Sequence, residues 1–168
     1  MNSEKKTPMS GKESATSSFA GILLLFQILC IAFFFNPQLN LILFGIGWTI
    51  LIPSFLFLML PANTLGLFDF DSVKDDGLLI ESGLYGYVRH PIYVGWIFLS
   101  LSFALISQIW LSALFFLLIV PQVVFVMKLE EERNLERFND EYLKYQCEVP
   151  MVNVFAGIRR KKKQTGKD

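Results

Sequence analysis

Two stretches of the chain hold most of the side chains that could do chemistry. The first, ESGLYGYVRHPIYVGW at residues 81–96, places Arg89 beside His90, the one histidine of the sequence. The second, KLEEERNLERFNDEYLKY at residues 128–145, carries consecutive carboxylates at Glu130, Glu131 and Glu132 just after Lys128. An imidazole donates or accepts a hydrogen bond according to its tautomer. A carboxylate can hold an ammonium or a hydroxyl through charge-assisted hydrogen bonds. Each stretch also has a plain structural reading. Arg89 can snorkel to headgroups, Pro91 suits the first turn of a helix, and Tyr85, Tyr87 and Tyr93 suit an interfacial aromatic belt. The glutamates fit a solvated helix turn. Anchoring has no need of His90, however, and Gly95, one turn beyond Pro91, leaves a notch. These local features lean slightly toward a site. With one histidine and two distant cysteines, Cys30 and Cys147, an ordinary zinc site cannot assemble.

The elements that must position these residues are apolar. The chain of 168 residues is 53% hydrophobic, with 17 Phe, and only 18% charged. No charge falls between Glu13 and Asp69, or between Arg89 and Lys128. A bilayer core about 30 Å thick needs roughly 20 apolar residues per helix, so each block reads as a helical hairpin. The first divides at NPQLN, residues 36–40, and the second at Ser107-Gln108. The expectation is an all-α membrane protein with four transmembrane helices, near 19–35, 41–60, 92–106 and 109–127. Four spans put both termini and the loop 61–90 on one side, together with all 15 Lys+Arg. The opposite turns carry no charge, so the charged side is expected to be cytoplasmic.

On that side, Leu135, Phe138, Tyr142, Tyr145 and Val149 recur at steps of three and four, which predicts an amphipathic helix. Its apolar face needs a partner, and the loop before the third span is the candidate. In that loop Gly77, Gly83 and Gly86 allow close backbone approach or positive φ. Residues 1–17 are expected to be disordered, 18–158 to form the membrane domain, and 159–168 to be a basic tail near anionic headgroups.

Taken together, GLYGYVRHPIYVGW, a hairpin, and then EEERNLERFNDEYLKYQCEVP resemble the isoprenylcysteine carboxyl methyltransferase family and its phospholipid methyltransferase relatives. The resemblance spans roughly residues 77–150. It implies an S-adenosylmethionine pocket formed by the cytosolic loop and the C-terminal amphipathic helix, open to a lipid-like acceptor. The cofactor contacts it implies are Gly77, Leu78, Leu79, Ile80, Tyr85, His90, Pro91, Ile92, Tyr93 and Glu130. Arg89, Glu131 and Lys128 are the implied catalytic residues. Methyl transfer is an in-line displacement on an activated carbon, so positioning and desolvation are the main demands. Two departures stand out. Asn139 replaces the family's glycine, and Val126 stands where carboxyl methyltransferases carry an arginine, leaving Lys128 as the nearest cation. Lysine lacks the bidentate fork of arginine, and Arg133 is a further candidate for that role. The expected acceptor is a prenylcysteine carboxylate, with a phosphatidylethanolamine-type amine as the alternative. A nicotinamide-dependent reductase and a non-enzymatic four-helix scaffold are the other readings. No metal or nucleic-acid partner is expected.

Overall fold

The computed structural model describes residues 11–33, 38–64 and 79–165. Among these it is all-α, with six helices and a short 3-10 turn: α1 (Gly11–Phe33), α2 (Leu41–Thr64), the turn Gly83–Gly86, α3 (Pro91–Ser107), α4 (Trp110–Phe138), α5 (Asp140–Glu148) and α6 (Val154–Thr165). Two stretches, Leu41–Pro61 and Trp110–Phe138, are long and apolar enough to cross a membrane, while Ser18–Phe33 and Pro91–Ser107 are shorter apolar helices. The four long helices lie where four spans are expected, with two differences. Helix α1 begins at Gly11, inside the segment expected to be disordered. Helix α4 continues eleven residues past 127, about 16 Å at the helical rise, and so lifts Glu130 and Glu131 beyond the apolar stretch that ends at Met127.

The helices pack as α2 on α3, α1 on α4, and α3 on α4. Close approach of α2 and α3 depends on two glycines. A Cβ on Gly47 would sit 2.8 Å from Ile106 Cγ1, and one on Gly95 2.9 Å from Leu58 Cγ. The notch at Gly95 is therefore filled by a neighbouring helix rather than by a ligand, as small residues allow between membrane helices. Ser102 Oγ adds a hydrogen bond to the Gly47 carbonyl at 3.0 Å. Between the hairpins, Leu23, Leu24, Leu99, Ile119, Val123 and Met127 form the apolar core. Gln27, fully buried, ties three helices together. Its Nε2 donates to the Ser100 carbonyl at 2.9 Å and the Ser112 carbonyl at 3.1 Å, and its Oε1 accepts from Ser100 Oγ at 2.8 Å. With every polar atom paired, this network is tolerated away from water.

Outward faces are greasy. Leu41, Ile42, Ile52, Trp110 and Leu117 are each at least 65% exposed, a pattern suited to lipid rather than to water. At one end of the bundle Asn40 and Gln108 lie side by side. Asn40 N–H donates to Gln108 Oε1 and Gln108 Nε2 donates to the Asn40 carbonyl, both at 2.8 Å. Asn40 also caps α2 by accepting from the amides of Ile42 and Leu43. The charged residues of α4 and α5 gather at the other end.

Candidate functional site

Pro91 opens α3 at its first position, where its missing N–H breaks no helical bond. Just before it, the amides of Arg89 and His90 donate to the carbonyls of Pro150 and Met151, at 3.0 and 3.2 Å. The segment after α5 thus clamps the entry to α3. The Arg89 and His90 side chains meet α4. Arg89 Nη2 lies 2.8 Å from Glu131 Oε1, and its Nη1 donates to the Gln146 carbonyl at 2.8 Å. His90 Nε2 is 3.2 Å from the same Glu131 oxygen. Its Nδ1 is 3.8 Å from Glu130 Oε2, beyond hydrogen-bond reach. Glu130 therefore keeps acceptor capacity, whereas Glu131 is engaged on two sides. The Arg89 Nε donor is buried without a hydrogen-bond partner.

Electrostatics follow from this geometry. Burial by itself would raise the Glu131 pKa, but the His90 hydrogen bond and the Arg89 charge outweigh it and hold the carboxyl below its ordinary value. With Glu131 ionised, Nε2 of His90 must carry the hydrogen, since a carboxylate only accepts. Burial pushes the Tyr85 phenol up, with the Glu130 charge adding to the effect. Burial likewise pushes up Tyr145. Both hydroxyls stay protonated near neutrality, and Tyr145 donates to the Tyr85 carbonyl at 2.7 Å.

The expected amphipathic face is realised. Tyr142, Tyr145 and Val149 form a buried cluster against Leu135, Phe138 and Leu79, so the loop before α3 is indeed the partner of that face. The helix itself is broken at Asn139, whose φ of 48° and ψ of −120° lie in a region glycine occupies most readily. Of the loop glycines, Gly83 takes φ of 60°. Gly86 is packed so that an added Cβ would lie 3.0 Å from the Glu81 carbonyl oxygen.

Most of the sequence candidates come together here. His90 and Pro91 are buried, and Leu79, Ile80, Tyr85, Ile92 and Tyr93 are half-buried. The Tyr93 ring stands 5.6 Å from the His90 ring. Gly77 and Leu78 lie outside the described residues. Lys128 is exposed, unlike the Arg89, His90 and Glu131 side chains. Sequence reasoning missed the carbonyls of Gln146, Pro150 and Met151, for which side-chain identity gives no signal. It also missed Arg160, whose Nη2 donates to the Gly86 carbonyl at 2.7 Å. Gly157, buried within an otherwise basic helix, was the available cue.

Comparison with known proteins finds relatives of this region. Residues 63–137 match the Isoprenylcysteine carboxyl methyltransferase (ICMT) family. The matched segment holds Arg89, His90, Glu130 and Glu131, and that family uses S-adenosylmethionine. The chain is similar to a protein-S-isoprenylcysteine O-methyltransferase of Schizosaccharomyces pombe, 36% identical over 76 residues, 45% of this chain and 32% of that protein. It is also similar to a methanethiol S-methyltransferase of Crocosphaera subtropica, 31% identical over 121 residues, 68% of this chain and 46% of that protein. The aligned parts thus cover less than half the length of either relative. No solved structure gives a match.

Proposed function

We propose that this chain is an integral-membrane methyltransferase that uses S-adenosylmethionine at the membrane surface. All four long helices span in this reading, with both termini and the site on the cytoplasmic side. The observation that carries it is the Arg89–Glu131–His90 network with Glu130 beside it, at the polar end of a greasy bundle and inside the ICMT segment.

The residues present fit the cofactor. Its amino acid head is a zwitterion, and the site offers one unsatisfied partner for each charge. Glu130 has room to accept from an ammonium, and the buried Arg89 Nε is a donor for a carboxylate. Tyr85 and Tyr93 present aromatic faces suited to a sulfonium. Leu79 and Ile80 would line the remainder with apolar and backbone contacts. His90, Pro91 and Ile92 complete the wall. Bound cofactor supplies an activated methyl carbon, and the protein orients it and keeps water away.

The acceptor is membrane-soluble. Geometry favours one that needs no guanidinium of its own, such as a thiol. Arg89 is committed to Glu131 and Gln146, Val126 is buried at 2% exposure, and Lys128 faces outward. The similarity to the methanethiol S-methyltransferase, which extends over more of the chain, points the same way. A thiol must lose its proton before attack, and His90 Nδ1 is the ring atom left to receive it once Nε2–H is held by Glu131. A second reading, a prenylcysteine carboxylate, is favoured by the Schizosaccharomyces pombe relative. A carboxylate needs no base, but it would have to compete for Arg89.

The test is transfer of labelled methyl from cofactor to a panel of an alkyl thiol, a farnesylated cysteine and phosphatidylethanolamine, using purified protein in lipid. Label recovered as a base-stable thioether supports the thiol acceptor. Base-labile ester label supports the carboxylate, N-methyl label the amine, and no transfer to any acceptor contradicts the enzyme assignment.

A further inference from the structure

Helix α6 divides into two faces with different fates. On the inner face Gly157 is packed so closely on Tyr87 that an added Cβ would collide with the Tyr87 carbonyl. One turn on, Arg160 donates to the Gly86 carbonyl and its Nη1 lies 3.6 Å from Glu148 Oε2. The outer face is uncovered. Phe155 is 78% exposed and Ile158 39%, and Arg159, Lys162 and Lys163 are exposed with them. Steps of three and four put Phe155, Ile158, Arg159 and Lys162 on one side of the helix. No acidic residue occurs from Val149 through Thr165.

The depth of α6 is fixed by its approach. Pro150 and Met151 accept the amides of Arg89 and His90 immediately before α3 begins, and Met151 packs against the apolar core. Helix α6 therefore starts at the level where α3 enters the bundle. Apolar anchors flanked by cations on a helix of low hydrophobicity are the composition of an interfacial helix. Cations near a bilayer surface are drawn to anionic headgroups.

We propose that α6 lies in the plane of the membrane surface, with Phe155 and Ile158 at the headgroup–acyl boundary and Arg159, Lys162 and Lys163 on the phosphates of anionic phospholipids. This rests on the membrane reading of the long helices, and not on the identity of the acceptor.

The experiment places a nitroxide at Phe155→Cys in the full chain, with exposed Cys147 replaced by serine. The protein is held in nanodiscs of phosphatidylcholine with or without phosphatidylglycerol. Collisions with oxygen and with a water-soluble nickel chelate report depth. A label at Ile52→Cys on the outer face of α2 reports whether the bundle itself is in hydrocarbon. With phosphatidylglycerol, the residue 155 label should shift from nickel-dominated to oxygen-dominated collisions. Added R159Q, K162Q and K163Q should abolish that shift. A residue 155 label that stays open to nickel in both lipids, is inserted equally in both, or is shielded from both reagents by protein overturns the proposal while residue 52 upholds the membrane reading. Residue 52 open to nickel overturns both.

Discussion

Glu131 Oε1 is the point on which the site's hydrogen bonds converge, receiving Arg89 at 2.8 Å and His90 at 3.2 Å. Its neighbour Glu130 is the more open carboxylate. Spacing alone does not say which glutamate of EEE takes which role, because consecutive residues differ by about 100° around a helix; the assignment of Glu130 to the cofactor comes from the family resemblance. The choice depends on how α4 is rotated against α3, and that rotation is set by Ile119, Val123 and Met127 in the core. A pH consequence follows for Glu131. Its folded pKa lies below its ordinary value of 4.5, so the stability it contributes is present above that value and is lost as pH falls through the folded pKa. Glu131→Gln should lower the stability of the detergent-solubilised protein by about 1–2 kcal/mol near neutrality and flatten the acid limb of the unfolding profile below about pH 4.5. An unchanged acid limb in the variant would mean that Glu131 does not hold Arg89 and His90.

At the scale of the element, periodicity and composition carried far. The four apolar helices follow from the length of the charge-free blocks, and the face Leu135–Phe138–Tyr142–Tyr145–Val149 from spacing, because burial of an apolar stripe leaves that signature. What spacing does not encode is which helix meets which. The contact of α2 with α3 rests on Gly47 and Gly95, and that of α6 with the 3-10 turn on Gly157. A glycine announces itself as permissive but does not name its neighbour. These contacts predict a contrast within α2. Gly47→Ala places a Cβ 3.0 Å from the Ile106 backbone nitrogen and should cost about 1–3 kcal/mol, as overpacking does. Gly45→Ala meets nothing within 4 Å and should be neutral or stabilising by up to about 1 kcal/mol through helix propensity. Thermal unfolding of the two variants in the same detergent gives the comparison. Equal melting temperatures would mean that the α2–α3 crossing is looser than described.

Across the described residues, the two hairpins bring Asn40 and Gln108 together at one end and the Arg89–His90–Glu131 network to the other. The candidate site is assembled from chain segments distant in sequence: the loop before α3, the polar extension of α4, and the clamp after α5. The first two of these segments are legible locally, and the family resemblance joins them. The backbone clamp from Pro150 and Met151, and the docking of α6, needed the fold. If this assembly holds S-adenosylmethionine as proposed, the purified chain should also bind the product S-adenosylhomocysteine, and calorimetry reads that binding without an acceptor. The wild-type protein should bind saturably, and Glu130→Ala should weaken binding ~10-fold or more through loss of a charge-assisted hydrogen bond, with helical content and melting temperature retained. No binding by the wild-type protein, or equal affinity in the folded Glu130→Ala variant, would contradict the proposed cofactor site.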